Sequence, residues 1–306
     1  MTQMKLITFM KRFDSDDACR AHLESVRWPH GPTCPHCGAV DNAKPVGGRP
    51  SWHCCHACGK QFSVTVGTPM HGSHLPLRVW YLALYLILAS SKGISSVKLG
   101  QHLGVGQKTA WFIGHRIRAM LDSGDETPLS GIVEVDESYI GGKRRNARKG
   151  TPSRGRGRGT NKPMLFAAIE RGGRARTAPI PSASAEAIDP LLFAWLNRDG
   201  VLATDELAVY QWFGGKMRRH VVVNHARREF VRWVHGIKAH TNTCEGFFGL
   251  FKRAIVGVWH WISAKHLHRY ATEHEFRWNR RGDVADRIAR CLIGRHGRLR
   301  WRELVV

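Results

Sequence analysis

Two short cysteine pairs, Cys34-Pro-His-Cys37 and Cys55-His-Ala-Cys58, constrain this chain before anything else does. Seventeen residues, 38–54, lie between them, inside the usual spacing of a four-cysteine zinc site. Gly38 and Gly59 follow the pairs directly and mark turns. The stretch therefore reads as a zinc ribbon, in which two knuckles share one tetrahedral ion. A ribbon this small has little core of its own, so the ion would be structural. Cys54 is spare in this scheme, and His36, His53 and His56 are substitute ligands. Cysteines that bind metal rather than form disulfides imply a reducing compartment. In agreement, Met1 to Phe13 lack the layout of a signal peptide. The longest apolar run, Val79–Ala89, is too short to span a bilayer. The expectation is a cytoplasmic, nucleoid-associated protein with no membrane partner.

With 306 residues the chain is long enough for about two domains and a real core. Lys and Arg number 47 against 24 Asp and Glu, a formal charge of +23, which points to a polyanion and most simply to nucleic acid. Two stretches could meet it. Ile94–Leu103, the turn Gly104-Val-Gly106 and Gln107–Leu121 form the helix, glycine turn and longer helix of a helix-turn-helix, a pattern that ordinary bundles share. As a recognition helix, the second would expose Gln107, Lys108, Thr109, Arg116 and Arg118 and bury Ala110, Phe112 or Ile113, and Ile117. Lys143 to Lys162 carries nine Lys or Arg and no acid, and reads as a flexible loop able to track phosphates, led by Lys143, Arg144 and Arg145.

Three carboxylates stand where strands or a helix would present them. Ile132–Asp136 reads as a short strand ending in an acid, with Glu134 and Asp136 on one face because side chains alternate. Val201–Asp205 is a second such strand. From His240 to Arg253 the period is helical. Asn242, Glu245, Gly249 and Lys252 share one stripe, with Phe247, Leu250, Phe251 and Ala254 opposite as the buried face. Either aspartate alone is more often a strand-end turn former. Brought together at a sheet end, the three acids would hold hard divalent cations, and two such ions can carry phosphodiester displacement.

An ordered series of motifs resembles the zinc-ribbon group of bacterial insertion-sequence DDE transposases. It runs through Cys-Pro-His-Cys-Gly38, Cys-Gly-Lys-Gln-Phe-Ser63, Gly-Ile-Ser95, Lys-Thr-Ala-Trp111, His-Arg-Ile-Arg118, Val-Glu-Val-Asp-Glu137 and Tyr-Ile-Gly-Gly142. It continues through Thr-Asp-Glu206, His-Thr-Asn-Thr243, Glu-Gly-Phe-Phe248, Lys-His-Leu-His-Arg-Tyr270 and Phe-Arg-Trp-Asn279. The resemblance covers roughly residues 10–282. It implies an α/β catalytic domain of ribonuclease H-like fold, a mixed sheet with flanking helices, preceded by a zinc ribbon and a helix-turn-helix. The expected division is an N-terminal helical segment at 1–30, the ribbon at 31–66, the helix-turn-helix at 67–124, the catalytic domain at 130–282 and a basic tail at 283–306. It implies Asp136, Asp205 and Glu245 as the metal-binding triad for two Mg²⁺ or Mn²⁺ ions, and Lys252 as the accompanying basic residue. Related groups carry Asn in place of the triad Glu, so Asn242 stands as the alternative ligand. The implied function is transposition. The protein would bind the terminal inverted repeats of a mobile element, cut at its ends and join the 3′ ends to target DNA, as a homodimer or larger on double-stranded DNA. Two other classes remain: a domesticated DNA-binding regulator, and a ribonuclease H-type hydrolase without strand transfer.

Overall fold

A computed structural model describes residues 4–122, 124–141, 162–224, 227, 229–293 and 297–305. The chain divides into two compact units, one of residues 1–124 with 280–306 and one of residues 125–279.

The first unit opens with α1 (Leu6–Arg12) and α2 (Asp16–Arg27). Ser15 Oγ accepts the N–H of Ala18 at 3.2 Å, and Asp16 and Asp17 fill the first turn, where acids suit the helix dipole. The ribbon strands β1 (Ala43–Val46), β2 (Arg49–Cys55) and β3 (Gln61–Phe62) pair antiparallel in that order around Cys34, Cys55 and Phe62. Helix α3 (Leu77–Ala89) is apolar nearly all round and buries Trp80, Tyr81, Leu84 and Leu88, so it is enclosed rather than half-exposed. Helix α4 (Ser96–Leu103) is capped by Ser95 and ends at left-handed Gly104, φ +67°. Helix α5 (Gln107–Met120) starts just beyond. Gly100 makes this close turn possible, since a Cβ there would lie 2.8 Å from the carbonyl oxygen of Val105.

In the second unit, five strands among the described residues form a mixed sheet. They are β4 (Ile132–Tyr139), β5 (Met164–Glu170), β6 (Ala175–Ile180), β7 (Val201–Thr204) and β8 (Arg219–Val222), in the order β6-β5-β4-β7-β8. The first three form an antiparallel meander, while β7 and β8 run parallel to β4. Helix α6 (Ala185–Trp195) lies between β6 and β7, and α7 (Val209–Gly214) between β7 and β8. A short hairpin of β9 (Arg232–Val234) and β10 (Ile237–Ala239) precedes α8 (Asn242–Ala254). A π turn at Ile255–Trp259 and a 3-10 turn at Ala264–His266 lead to α9 (Leu267–Asn279). Strand β5 shows how both faces are covered. Met164, Phe166 and Ala168 join the core containing Ile188, Leu192 and Phe213, while Leu165, Ala167 and Ile169 join that of Phe247, Phe251 and Leu267.

The segment after residue 280 belongs to the first unit. There α10 (Val284–Ile293) packs on α2 and α3, and α11 (Arg302–Val305) follows. Asp283 Oδ1 accepts the N–H of Met4 at 2.8 Å, and the Arg287 guanidinium donates to the Leu88 carbonyl at 2.9 Å. No helix among the described residues is long and apolar enough to cross a membrane.

Candidate active site

Asp136 sits within β4, which continues to Tyr139 rather than stopping at the acid, because Ser138 and Ile140 still find partners in the sheet and core. Val133 and Val135 point to the α6 side, so Glu134 and Asp136 share the face that α8 covers. Asp205 follows β7 directly. Strands β4 and β7 are parallel neighbours paired as far as Glu134 opposite Ala203, so Asp136 and Asp205 each lie two residues beyond that last pair. Asp205 Oδ1 accepts the N–H of Leu207 at 3.1 Å, which turns the chain away from the strand. Glu245 lies exposed in the first turn of α8, and Asn242 is that helix's first residue.

Electrostatics tie these groups together. Burial, then the negative charges of Glu137 and Asp205, and then that of Glu245, push the Asp136 carboxyl up to about 8, against a lowering bond from the Glu137 N–H at 2.8 Å. Lys252, further along α8, lies below the ordinary lysine value through partial burial. Asp136 pulls it up and Lys162 pushes it down. Asp205 and Glu245 are near enough to act on Asp136 electrostatically, and carboxylate oxygens are the donors hard divalent cations take, so the chemistry of these side chains fits Mg²⁺ or Mn²⁺.

Helix α8 is rotated from the expected stripe. Its buried face is Cys244, Phe247, Phe248, Phe251 and Ala254, and Leu250 is 37% exposed. Phe248 takes the place expected for Leu250, because the sheet and α9 centre the buried stripe on Cys244 and Phe251. Sequence reasoning did not reach Glu137, whose Oε2 accepts the Tyr210 hydroxyl at 2.5 Å, and it placed Lys162 only in the basic loop, not near enough to Lys252 to act on its charge. The adjacency of Glu137 to Asp136 was the available signal for the first.

In the first unit, the sulfurs of Cys34, Cys37, Cys55 and Cys58 all lie within 4.8 Å of one another, the one such group of metal-ligand atoms among the described residues. Cys34 Sγ is 3.7 Å from Cys58 Sγ, and Cys37 Sγ is 3.6 Å from Cys55 Sγ. A tetrahedral ion with Zn–S bonds of ~2.3 Å sets its sulfurs about 3.8 Å apart, so the tetrad fits zinc. Burial opposes ionisation of Cys34, yet the backbone N–H groups of His36 and Cys37 and the neighbouring thiols bring it down to about 7. Cys54 faces the Gly59 carbonyl instead, and His53 stacks on Phe62.

Gln107, Lys108 and Thr109 are exposed at the start of α5, as expected of a base-reading face. Arg116 and Arg118 are not: they are 6% and 4% exposed. Arg116 donates to the carbonyls of Leu299 and His71 at 3.3 and 3.2 Å and lies 4.4 Å from the Phe112 ring centroid. The cover over this helix comes from Leu299 and Trp301, far along the chain, which a local periodicity cannot reveal. Lys143, Arg144 and Arg145, with the rest of the basic loop except Lys162, lie outside the described residues.

Against known proteins, the sequence pattern of the ISXO2-like transposase domain matches residues 128–279, and that of the transposase zinc-ribbon domain matches residues 14–61. The uncharacterized protein in transposable element ISH50 of Halobacterium salinarum is 28% identical over 256 residues, covering 80% of this chain and 84% of its own. A chain of the pre-cleavage Mos1 transpososome aligns at 14% identity over 71% of this chain and 79% of its own, with a TM-score of 0.26. One from the Mos1 strand transfer complex aligns at 13% over 67% and 77%, with a TM-score of 0.21. Both likenesses are too slight to argue from.

Proposed function

Because the chain belongs to the insertion-sequence transposases that carry a zinc ribbon and an ISXO2-like transposase domain, we propose that its second unit is a ribonuclease H-like DDE enzyme that cuts at its element's ends and joins them to target DNA. The strand order supports that fold: an antiparallel meander β6-β5-β4 continued by parallel β7 and β8. What supports the reading above all is that Asp205 and Glu245 both act electrostatically on Asp136, with β4 and β7 parallel neighbours and α8 packed on β4.

Asp136, Asp205 and Glu245 would hold two Mg²⁺ or Mn²⁺ ions. Such ions supply neutralisation of the phosphate oxygens and a lowered pKa for the attacking oxygen. Both chemical steps are in-line displacements at phosphorus. In the first, a water oxygen bonds to the phosphorus at the element end, and the 3′ oxygen leaves and takes a proton. In the second, that 3′ hydroxyl loses its proton, bonds to a target phosphorus and expels the target's 3′ oxygen. Lys252 would meet the charge of the scissile phosphate. Cys34, Cys37, Cys55 and Cys58 would hold one structural zinc. Helices α4 and α5 would act as the helix-turn-helix, with Gln107, Lys108 and Thr109 at base edges of the terminal repeats. Pairing two element ends calls for a dimer or larger assembly on DNA, working on the chromosome in the cytoplasm.

The test is cleavage and strand transfer on a labelled element end with Mg²⁺ or Mn²⁺. Asp136→Asn, Asp205→Asn and Glu245→Gln are each expected to abolish both steps while end binding persists. Cleavage without joining by the unaltered protein would make it a hydrolase instead, and binding without cleavage a regulator.

A further inference from the structure

We propose that Glu134, on the strand of Asp136 but outside the acidic cluster, is the positioning residue that fixes Glu245 relative to Asp136. The inference rests on the reading of the cluster as the metal site. Glu134 is fully buried, and an isolated buried carboxylate is costly unless donors surround it. Its two oxygens have roughly four acceptor sites, and four hydrogen-bond donors reach them, while His240 Nδ1 also lies 3.0 Å from Oε1. Arg171 Nε donates to Oε1 at 2.6 Å and Thr243 Oγ1 to Oε1 at 2.9 Å. The backbone N–H groups of Thr243 and Cys244 donate to Oε2 at 2.7 and 3.3 Å. A carboxylate so filled is not a metal ligand.

The last two donors are the second and third residues of α8, whose own N-cap Thr241 makes no side-chain capping bond. A helix ordinarily receives that acceptor from its cap residue. Here it comes from β4, 109 residues earlier in the chain for Thr243. Glu134 and Asp136 are one pleat repeat apart on the same face, and Glu245 is the residue after Cys244. The covalent path from Asp136 to Glu245 through this clamp is thus a few residues long. Arg171 tightens it by donating to the carbonyls of Lys238 at 2.5 Å and His240 at 3.0 Å, which hold the chain entering α8. Cys244 is wholly buried among these acids: its thiol is raised by burial first, then by Asp136, Glu134 and Glu245.

The experiment is a Mn²⁺ titration by electron paramagnetic resonance on the zinc-loaded full chain, with thermal unfolding and end-DNA affinity measured in parallel. Outer residues that orient metal ligands typically cost ~10- to 100-fold in metal affinity when altered. Glu134→Gln is expected to weaken Mn²⁺ binding by about tenfold or more and Thr243→Val by about threefold, with Thr243→Ser close to the unaltered protein, as rescue by the conservative hydroxyl requires. End-DNA affinity should not change in any of them. Should Glu134→Gln fail to fold, Thr243→Val against Thr243→Ser decides alone. A Mn²⁺ signal that survives Asp136→Asn overturns the metal reading of the cluster itself. A signal lost in Asp136→Asn but unmoved in folded Glu134→Gln or Thr243→Val overturns only the positioning role.

Discussion

Asn242 and Glu245 stand one helical turn apart at the start of α8, and both are exposed. Charge separates them. Two divalent cations beside phosphate oxygens are better neutralised by three carboxylates than by two and an amide. Glu245 also acts electrostatically on Asp136. Asn242→Ala should therefore leave measurable cleavage, lowered by a lost hydrogen bond of about 0.5–1.5 kcal/mol, where Glu245→Gln leaves none. Near-normal cleavage in Glu245→Gln with an inactive Asn242→Ala would reassign the ligand. Beneath the same helix, His274 is pressed against Phe247 and Phe251, with Nε2 3.1 Å from the Phe247 carbonyl. Burial, with Arg277 adding to it and the Phe247 carbonyl and Glu273 opposing, takes its pKa from 6.5 to about 4. The folded state thus prefers the neutral ring. Its contribution is complete above about pH 6.5 and is lost as pH falls from there towards 4, by roughly 3 kcal/mol. Denaturant unfolding of the second unit across that range should be steeper in pH for the unaltered protein than for His274→Gln. Equal slopes would show that the ring does not carry this dependence.

At the scale of elements, the ribbon and α5 make separate predictions. The ribbon core is little more than Cys34, Cys55, Phe62 and Val66, with Trp28 against it, so its fold depends on the metal. Freshly purified, reduced protein should carry about one zinc per chain, and Cys34→Ser or Cys58→Ser should lose both the zinc and end binding while the second unit stays folded. Metal analysis and the unfolding of each unit check this. On α5, Gln107→Ala or Lys108→Ala should reduce preference for the element end over random DNA. Arg116→Ala should instead lower the unfolding temperature of the first unit, since it strands the carbonyls of Leu299 and His71. The legible and illegible parts of the sequence divide along the same line. Strands β5 and β6, the cap of α2, the cysteine tetrad and the shared face of Glu134 and Asp136 depend on local alternation, spacing or capping, and each could be read from its own stretch. The burial of Arg116 and Arg118 and the exposure of Leu250 depend on which distant segment covers a helix. So does the Glu134 clamp. A stripe seen within one helix carries no information about a cover supplied by residues 299–301 or by β4.

For the molecule as a whole, the charge of +23 predicts binding to any DNA that weakens steeply with salt. The slope of log K against log salt is about −0.9 per phosphate neutralised, so charge removal at Lys143, Arg144 and Arg145 should flatten it for specific and random DNA alike. The first unit is assembled from both sides of the second: residues up to 124 and residues from 280 onward share one contact network, while 125–279 is continuous. Synthesis runs in one direction, and it meets these pieces in an awkward order. Residues 6–120 emerge first with the faces that α10 and Leu299 will cover still bare, including the helix that carries Leu88. At ~5–20 residues per second the intervening ~160 residues take about 8–30 s to follow. During that interval the second unit can close while the first waits for its final strap. The order of completion is thus written into the chain: the continuous unit can be whole while the discontinuous one still lacks its last helices.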